Sequence, residues 1–203
     1  MCKNVVIIGA GGHAKVIADI VRKSGDNLLG FLDDTKEAGT EFFDGFILGN
    51  TDTVAEYSDA EFIIGIGSNG IRKKISQKIG DVPFYTAIHP TAVIGEGVTL
   101  GEGSCVMANA VINPGATVGK HVIVNTASVV EHDNVISDYV HICPAAALAG
   151  TVSVGEATQL GIGAKVKNNT DICAGVIVGA GAVVVKNITE EGTYVGIPAR
   201  KVN

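Results

Sequence analysis

The sequence predicts a small α/β domain of the Rossmann type followed by a parallel β-solenoid, and two patterns carry that prediction. Across residues 88–184, an Ile, Leu or Val recurs at every sixth position without a break. Upstream, an apolar strand pattern at residues 4–9 runs into a glycine-rich turn and then a helical pattern, as a βαβ unit begins. We therefore expect two domains, residues 1–84 and residues 85–203.

The six-residue period defines the second domain, because it fits neither a helix nor a simple two-residue alternation. The position two residues before each apolar stop holds small or β-branched side chains and one asparagine, Asn134. We interpret each unit as a short strand plus a corner, with three units closing an eighteen-residue coil whose apolar side chains stack inward. An inactive solenoid such as an ice-binding protein would show a regular outward threonine array, whereas the outward positions here are mixed.

Composition argues against several classes of function. The formal net charge of −6 argues against a general nucleic-acid binder, which needs a basic face. No apolar run reaches membrane-spanning length, and the start Met1-Cys2-Lys3 leads into a strand rather than a signal peptide, so we expect a soluble cytoplasmic protein. The four cysteines form no CxxC pair and are irregularly spaced, which favours small buried or semi-buried thiols over a disulfide framework or zinc site.

Three loops of the first domain predict a small-ligand crevice. The glycine turn at residues 9–14 allows a phosphate to approach a helix N-terminus, although its GxGxxA spacing could equally mean a dinucleotide site. A second strand, residues 28–32, ends in Asp33 and Asp34, and a third, residues 62–66, ends in Gly67. These loops meet at one sheet edge, where carboxylates suit ribose hydroxyls or the edge of a base.

The remaining segments give weaker expectations. A short helix is expected from Thr53, and a last strand over residues 81–85 leads into the solenoid. The segment after residue 184 is expected to cap the open end of the solenoid. The basic side chains at residues 72–74 predict a solvated helix face, His121 a solvated corner, and His89 a structural role.

Several motifs together resemble one family, the sugar O- and N-acyltransferases that include sialic-acid O-acetyltransferases and bacillosamine-pathway N-acetyltransferases. Besides the hexapeptide domain, they are Gly9-Ala10-Gly11-Gly12-His13, Phe31-Leu32-Asp33-Asp34, Gly65-Ile66-Gly67, Glu131-His132-Asp133 and Gly196-Ile197-Pro198-Ala199-Arg200. The resemblance covers the whole chain and is most specific at the triplet 131–133, because a β-helix needs no such triplet at a corner. It implies that the solenoid is a left-handed parallel β-helix, whereas ordinary parallel crossovers are right-handed.

The resemblance implies that His132 is the catalytic base and that Asp133 raises its basicity. Acetyl transfer requires removal of a proton as the acceptor attacks the thioester, and an imidazole titrating near neutrality suits that step. A carboxylate on the other ring nitrogen would fix the tautomer. The eighteen-residue stack puts Pro114 on one side of His132 and Gly150 on the other, where a glycine would leave room for a cofactor. The contribution of Glu131 stays open.

The resemblance also assigns two binding regions and a trimer. Acetyl-CoA would lie outside the solenoid, near His141, Gly150, Ile162 and Ala180, with the sites between neighbouring subunits of a homotrimer. A nucleotide sugar would bind the first domain through Gly11, Gly12, His13, Asp33, Asp34 and Gly67.

The leading hypothesis is an acetyl-CoA-dependent N-acetyltransferase acting on the 4-amino group of a UDP-linked amino-dideoxy sugar in surface glycan or glycoprotein biosynthesis. The alternatives are a sugar O-acetyltransferase of the sialic-acid type and a noncatalytic nucleotide-sugar-binding protein, which would not need the triplet. We expect no metal, because the histidines at 121, 132 and 141 are eleven and nine residues apart and do not form the close pair of a solenoid zinc site.

Overall fold

The structure, a computed structural model of the chain, describes residues 2–202. Met1 and Asn203, the outer ends of the two predicted domains, lie outside the described residues. The first part is a five-stranded sheet with two α-helices, and the second is a three-sided coil of very short strands. Within the described range, none of the helices has the length and apolar character needed to cross a membrane.

The first part is a small, mostly parallel α/β unit. Its elements are β1 (Asn4–Ile8), α1 (Gly12–Lys23), β2 (Asn27–Leu32), β3 (Glu41–Phe42), β4 (Gly45–Gly49), a 3₁₀ helix (Thr51–Tyr57), β5 (Glu61–Ile64) and α2 (Asn69–Ile79). The strand order is β3-β4-β2-β1-β5, with only the β3–β4 pair antiparallel. The order reverses at β1, so the carboxyl ends of β1, β2 and β5 border a crevice.

Helix α1 lies between this sheet and the solenoid. Its apolar side chains recur at helical spacing, and Ala14, Ile17 and Val21 are fully buried. They share one apolar cluster with the sheet and with outward-facing solenoid residues such as Cys105 and Ile123. The solenoid face that carries those residues is therefore partly covered by the first domain.

The solenoid strands up to residue 184 follow the predicted period, and two further strands lie in the segment after it, which is predicted to cap the open end. They are β6 (Ala87–Ile88), β7 (Val93–Ile94), β8 (Thr99–Leu100), β9 (Cys105–Val106), β10 (Val111–Ile112), β11 (Thr117–Val118), β12 (Ile123–Val124), β13 (Val129–Val130), β14 (Val135–Ile136), β15 (His141–Ile142), β16 (Ala147–Leu148), β17 (Ser153–Val154), β18 (Gln159–Leu160), β19 (Lys165–Val166), β20 (Asp171–Ile172), β21 (Val176–Val178), β22 (Val183–Val184), β23 (Gly192–Val195) and β24 (Arg200–Val202).

These strands form three faces, parallel throughout except that β24 pairs antiparallel with β23. The first face runs from β6 through β9, β12, β15, β18 and β21 to β23 and β24; the second contains β7, β10, β13, β16, β19 and β22; the third contains β8, β11, β14, β17 and β20. Each strand pairs with the strand one coil further on, as Val111 pairs with Val129. The apolar stops from Val106 onward are buried, whereas Ile88, the first stop, is exposed at the open end of the coil.

The corners between residues 97 and 181 each contain a residue in the left-handed region. This residue lies three positions after an apolar stop, at every sixth position over residues 97–181, and φ is +60° at Asp133 and +54° at His121. Asn, Asp and Gly enter this region at least cost, and they occupy many of these positions. The catalytic candidate Asp133 therefore also has a corner-forming conformation.

Three expectations, for residues 81–85, Arg72 and His121, are wrong. Residues 81–85 form no strand, and only an isolated bridge joins Phe84 to Phe62. Arg72 and His121 are buried rather than solvated. Arg72 Nε donates to the His121 carbonyl oxygen at 2.8 Å, and the His121 ring stacks on Tyr139. Both side chains lie in the junction between the domains, where contacts between distant parts of the chain override the local pattern.

Candidate active site

The His132–Asp133 pair lies at the corner between the second and third faces, between β13 and β14. His132 Nδ1 lies 2.8 Å from Asp133 Oδ2, and the two side chains are 60% and 64% exposed. Because a carboxylate only accepts hydrogen bonds, Nδ1 carries the proton in a neutral ring and Nε2 carries the lone pair. The arrangement presents a basic nitrogen to the outside of the solenoid.

The coils on either side of this pair fit closely around it. Asp133 N donates to the Pro114 carbonyl oxygen at 3.2 Å, and Thr151 N donates to the His132 carbonyl oxygen at 3.0 Å, as the eighteen-residue stack predicts. A Cβ on Gly150 would lie 2.5 Å from His132 Nε2. The space beside Gly150 is therefore filled by the imidazole and is not left for a cofactor. The Glu131 carboxylate accepts a hydrogen bond from the backbone N–H of His132 at 3.4 Å.

The two aspartates of the crevice hold its loops in place. Asp33 accepts hydrogen bonds from Ala10 N at 2.7 Å and from Thr35 N and Oγ1 at 2.9 and 2.6 Å. Burial opposes the charged form of Asp33, but the bonds from Thr35 and Ala10 outweigh it and lower its pKa. The Thr51 backbone bond, at 2.8 Å, likewise lowers the pKa of Asp34. Both carboxylates are thus already engaged within the protein.

The glycines of the crevice face open space. A Cβ on Gly11 or Gly12 would meet nothing within 4 Å, and one on Gly67 would meet only His141 Cε1, at 4.0 Å. These glycines, together with His13 and Asp33, line a cavity of about 360 Å³ at the start of α1. The first turn of α1 has no acidic side chain, so its free N–H groups favour an anion such as a phosphate.

A second cavity, of about 210 Å³, continues the crevice. It shares Gly9, Asp33 and Ile66 with the first cavity and is otherwise mainly apolar, since Ile71 and Ile75 also line it. Asp34 lies in this second cavity rather than beside Gly11. An apolar slot beside a phosphate-compatible turn has the shape of a site for a nucleobase.

His141 lies against the crevice wall. Its Nδ1 is 3.3 Å from the Gly67 carbonyl oxygen and its Nε2 is 3.0 Å from Asn125 Nδ2. A carbonyl only accepts and an amide nitrogen only donates, so these partners fix a neutral ring protonated at Nδ1. Burial, followed by the charge of Arg72, lowers the pKa of His141 to about 4. Within the protein both ring nitrogens are occupied, which leaves only the carbon edge for a ligand.

His13 lies beside His141, with ring centroids 6.3 Å apart. Burial lowers the pKa of His13 to about 3, helped by His141 and Arg72. Among the described residues, His13 Nε2 is buried without a hydrogen-bond partner. His13 therefore lines the cavity at the start of α1 as a neutral imidazole whose Nε2 is enclosed by the protein.

Ile162 and Ala180 lie away from His141, at the corner between the first and second faces. Both are exposed, and they stack one coil apart, since Gly181 N donates to the Ile162 carbonyl oxygen at 2.8 Å. Gly150 lies at the opposite border of the second face. Across residues 2–202, no three His, Cys, Asp or Glu side chains converge as metal ligands.

Known proteins share this architecture. Residues 4–79 match the PglD N-terminal domain. The chain is similar to the acetyltransferase domain of PglB from Neisseria gonorrhoeae in complex with acetyl coenzyme A, with 33% identity, a TM-score of 0.93 and 100% coverage of both chains. It is also similar to PerB from Caulobacter crescentus in complex with CoA and GDP-perosamine, with 37% identity and a TM-score of 0.92 over 100% of this chain and 99% of that one.

The chain belongs to the hexapeptide-repeat sugar acyltransferase family. The resemblance and the left-handed β-helix fold expected from the sequence are thereby confirmed, and the chain is a member of a family of acetyltransferases. A curated relative, the UDP-N-acetylbacillosamine N-acetyltransferase of Bacillus subtilis, is 42% identical over 112 residues, which is 52% of each protein. The chain thus spans about half the length of this relative.

One chain of this protein does not bring its two candidate sites together. The first domain packs against the first face, whereas His132 lies at the edge between the second and third faces, opposite the first. The sequence motifs identified both regions, but spacing along the chain could not show this separation. The positions that sequence reasoning missed are Arg72, buried behind the crevice, and Asn125, which contacts His141.

Proposed function

We propose that the chain is an acetyl-CoA-dependent N-acetyltransferase of a nucleotide-linked amino sugar, and more narrowly of the 4-amino group of a UDP-linked amino-dideoxy sugar. The observation that carries the proposal is the exposed His132 imidazole, whose Nδ1 is held by Asp133 at 2.8 Å. A solenoid corner needs no such pair for stability. A side chain this exposed contributes little to folding, so the pair is better explained by chemistry than by packing.

The proposed reaction uses His132 Nε2 as a general base. The sugar nitrogen attacks the thioester carbonyl of acetyl-CoA, and its proton passes to Nε2. The new C–N bond forms as the C–S bond breaks, and the proton is then available to the departing CoA sulfur. Asp133 keeps the proton of the neutral ring on Nδ1 and stabilises the imidazolium while it exists.

The crevice supports a nucleotide sugar as the acceptor. The open glycines and the free N–H groups of α1 suit a diphosphate, and the adjoining slot lined by Ile66 and Ile71 suits a base. Asp33 would act indirectly, since its carboxylate orients the glycine turn through Ala10 N. One relative is a UDP-N-acetylbacillosamine N-acetyltransferase, and one similar structure has GDP-perosamine bound. The choice of UDP is therefore the most specific part of the proposal.

The separation of His132 from the crevice supports a homotrimer with sites between subunits. A second copy that placed its His132 edge at the crevice of the first would complete the site. The second face offers a cofactor path, because Val111, Val129 and Ala147 form a small apolar strip between Gly150 and Ile162. Acetyl-CoA would lie along that strip. The proposal also places the reaction in the cytoplasm, where both substrates are available.

A panel of UDP-, GDP-, dTDP- and CMP-linked sugars, assayed for thiol release from acetyl-CoA, tests the function. We expect the highest kcat/KM with a UDP-linked 4-amino sugar. The same sugar with a 4-hydroxyl in place of the 4-amino group should give no thiol release. A preference for the hydroxyl counterpart would favour the O-acetyltransferase alternative. Tight nucleotide-sugar binding without thiol release from any member would favour the noncatalytic alternative.

A further inference from the structure

Arg72 is a buried cation with no acidic partner among the described residues, and it lies in the domain junction, only 1% exposed. All its hydrogen-bond acceptors are carbonyl oxygens. They are the backbone oxygens of His121 at 2.8 Å, Ile66 at 3.0 Å, Gly67 at 3.2 Å, Tyr139 at 2.8 Å and Val140 at 3.5 Å, and Asn69 Oδ1 at 2.9 Å.

Such a residue is a costly way to join two domains. A buried charge without a counterion loses its hydration, and burial lowers the pKa of Arg72 to about 10. An apolar side chain of similar volume would hold the domains together at lower cost. The guanidinium offers something else, because its planar fork directs several N–H groups to fixed points at once. Its acceptors come from the β5–α2 loop, from the first residue of α2 and from two solenoid corners.

The loop that Arg72 holds is the wall of the crevice. Ile66 lines both cavities and Gly67 lines the larger one. The Gly67 carbonyl oxygen accepts from Arg72 and also lies 3.3 Å from His141 Nδ1, so one atom links the loop, the cation and the imidazole. The charge of Arg72 also contributes, after burial, to the lowered pKa values of His13, His121 and His141.

We propose that Arg72 is a positioning residue for the acceptor site: it fixes the Ile66–Gly67 loop and the neutral tautomer of His141 against the solenoid. This inference rests on the proposed function for its kinetic part alone. In the junction, the Tyr139 hydroxyl and Ser76 Oγ make a separate hydrogen bond of 2.9 Å across the same domains. Tyr139→Phe therefore gives a matched control that removes a junction contact and keeps the backbone acceptor of Arg72.

The test compares Arg72→Met, Arg72→Lys and Tyr139→Phe in the full chain. For Arg72→Met we expect amide exchange of residues 66–70 to rise roughly tenfold or more, because several buried carbonyls lose their donor. Nitrogen NMR should show His141 as a single Nδ1–H tautomer near neutral pH in the parent and as mixed forms in the variant. Tyr139→Phe should match the parent in both measurements. If Arg72→Met does not fold, Arg72→Lys carries the same test, since an ammonium cannot span the same acceptors.

In steady-state kinetics, we expect Arg72→Met to weaken the use of the nucleotide sugar and to leave the use of acetyl-CoA nearly unchanged. Arg72→Met should raise KM for the nucleotide sugar about tenfold, with KM for acetyl-CoA within about threefold of the parent. Exchange and tautomer unchanged in Arg72→Met, or changed equally in Tyr139→Phe, would overturn the inference. A parent that transfers acetyl to no nucleotide sugar would remove the proposed function, while the exchange and NMR measurements would still decide the role of Arg72.

Discussion

Gly150→Ala tests the geometry of the His132 site without replacing a titratable side chain. The added methyl would lie 2.5 Å from His132 Nε2 and 2.6 Å from Cε1, well inside the 3.4–4 Å of ordinary contact. The ring must therefore move by roughly 1 Å, and 60% exposure of the side chain allows it to swing into solvent. Gly150 lies outside the left-handed φ region, so alanine adds no backbone strain there.

The expected magnitude follows from that displacement. A misplacement of about 1 Å can cost about a hundredfold in rate, or roughly 2.7 kcal/mol in transition-state free energy. The free energy of unfolding should change by less than about 1 kcal/mol, because the clash is relieved at the surface and alanine reduces the freedom of the unfolded chain. The variant should thus be folded and slow.

Steady-state thiol release and thermal unfolding measure the two quantities. Gly70→Ala is the matched control, because a Cβ there would meet nothing within 4 Å. The decisive comparison is made in the His132→Ala background, where the ring is absent and Gly150→Ala should cost no further activity. Gly150→Ala with a parental rate would refute the reasoning, and so would a further hundredfold loss in that background.

Three other predictions concern assembly, ligand and acid stability. Light scattering should give a mass of three times the 20.8 kDa of one chain, and an active monomer would contradict the shared site. Calorimetry should detect a UDP-sugar but not NAD, because no second half of a doubly wound sheet is present in residues 2–202. Burial lowers the pKa of His121 from 6.5 to about 4, so below about pH 6.5 the unfolded state binds a proton that the folded state does not. The urea concentration at the unfolding midpoint should therefore decrease as the pH is lowered from about 6.5 to about 4. His121→Asn, which tolerates the left-handed φ, should flatten that fall; an unchanged slope would contradict the assignment.

The solenoid could be predicted from the sequence because its restraints are local and repeated. Each interior position admits a narrow range of side-chain sizes, so the period of six appears directly in the residue types. The glycine turn and Asp33 were also visible, since strand ends of a parallel sheet meet at one edge. The actual role of Asp33 was not visible, because its partners are loop N–H groups whose positions depend on the folded backbone.

The domain junction could not be predicted for a different reason. Arg72 contacts the carbonyl oxygens of residues 49 and 67 positions further along the chain, and a backbone acceptor leaves no mark on residue type. The local sequence around Arg72 is therefore the same as that of a basic residue on a solvent-exposed helix face. Likewise, the eighteen-residue stack of coils predicts that Gly150 is a neighbour of His132. It does not predict that the imidazole ring turns toward Gly150 and fills the space beside it.

The role of His132 is tested most directly by comparing His132→Ala with the parent on the best acceptor of the panel, near neutral pH. We predict that the rate of His132→Ala is lower by about a hundredfold or more, which is the usual contribution of a positioned general base. Asp133→Asn should lose less, because Asp133 acts through His132. Thermal unfolding should be unchanged, since both side chains are more than half exposed at a corner. A His132→Ala protein as fast as the parent would contradict the account.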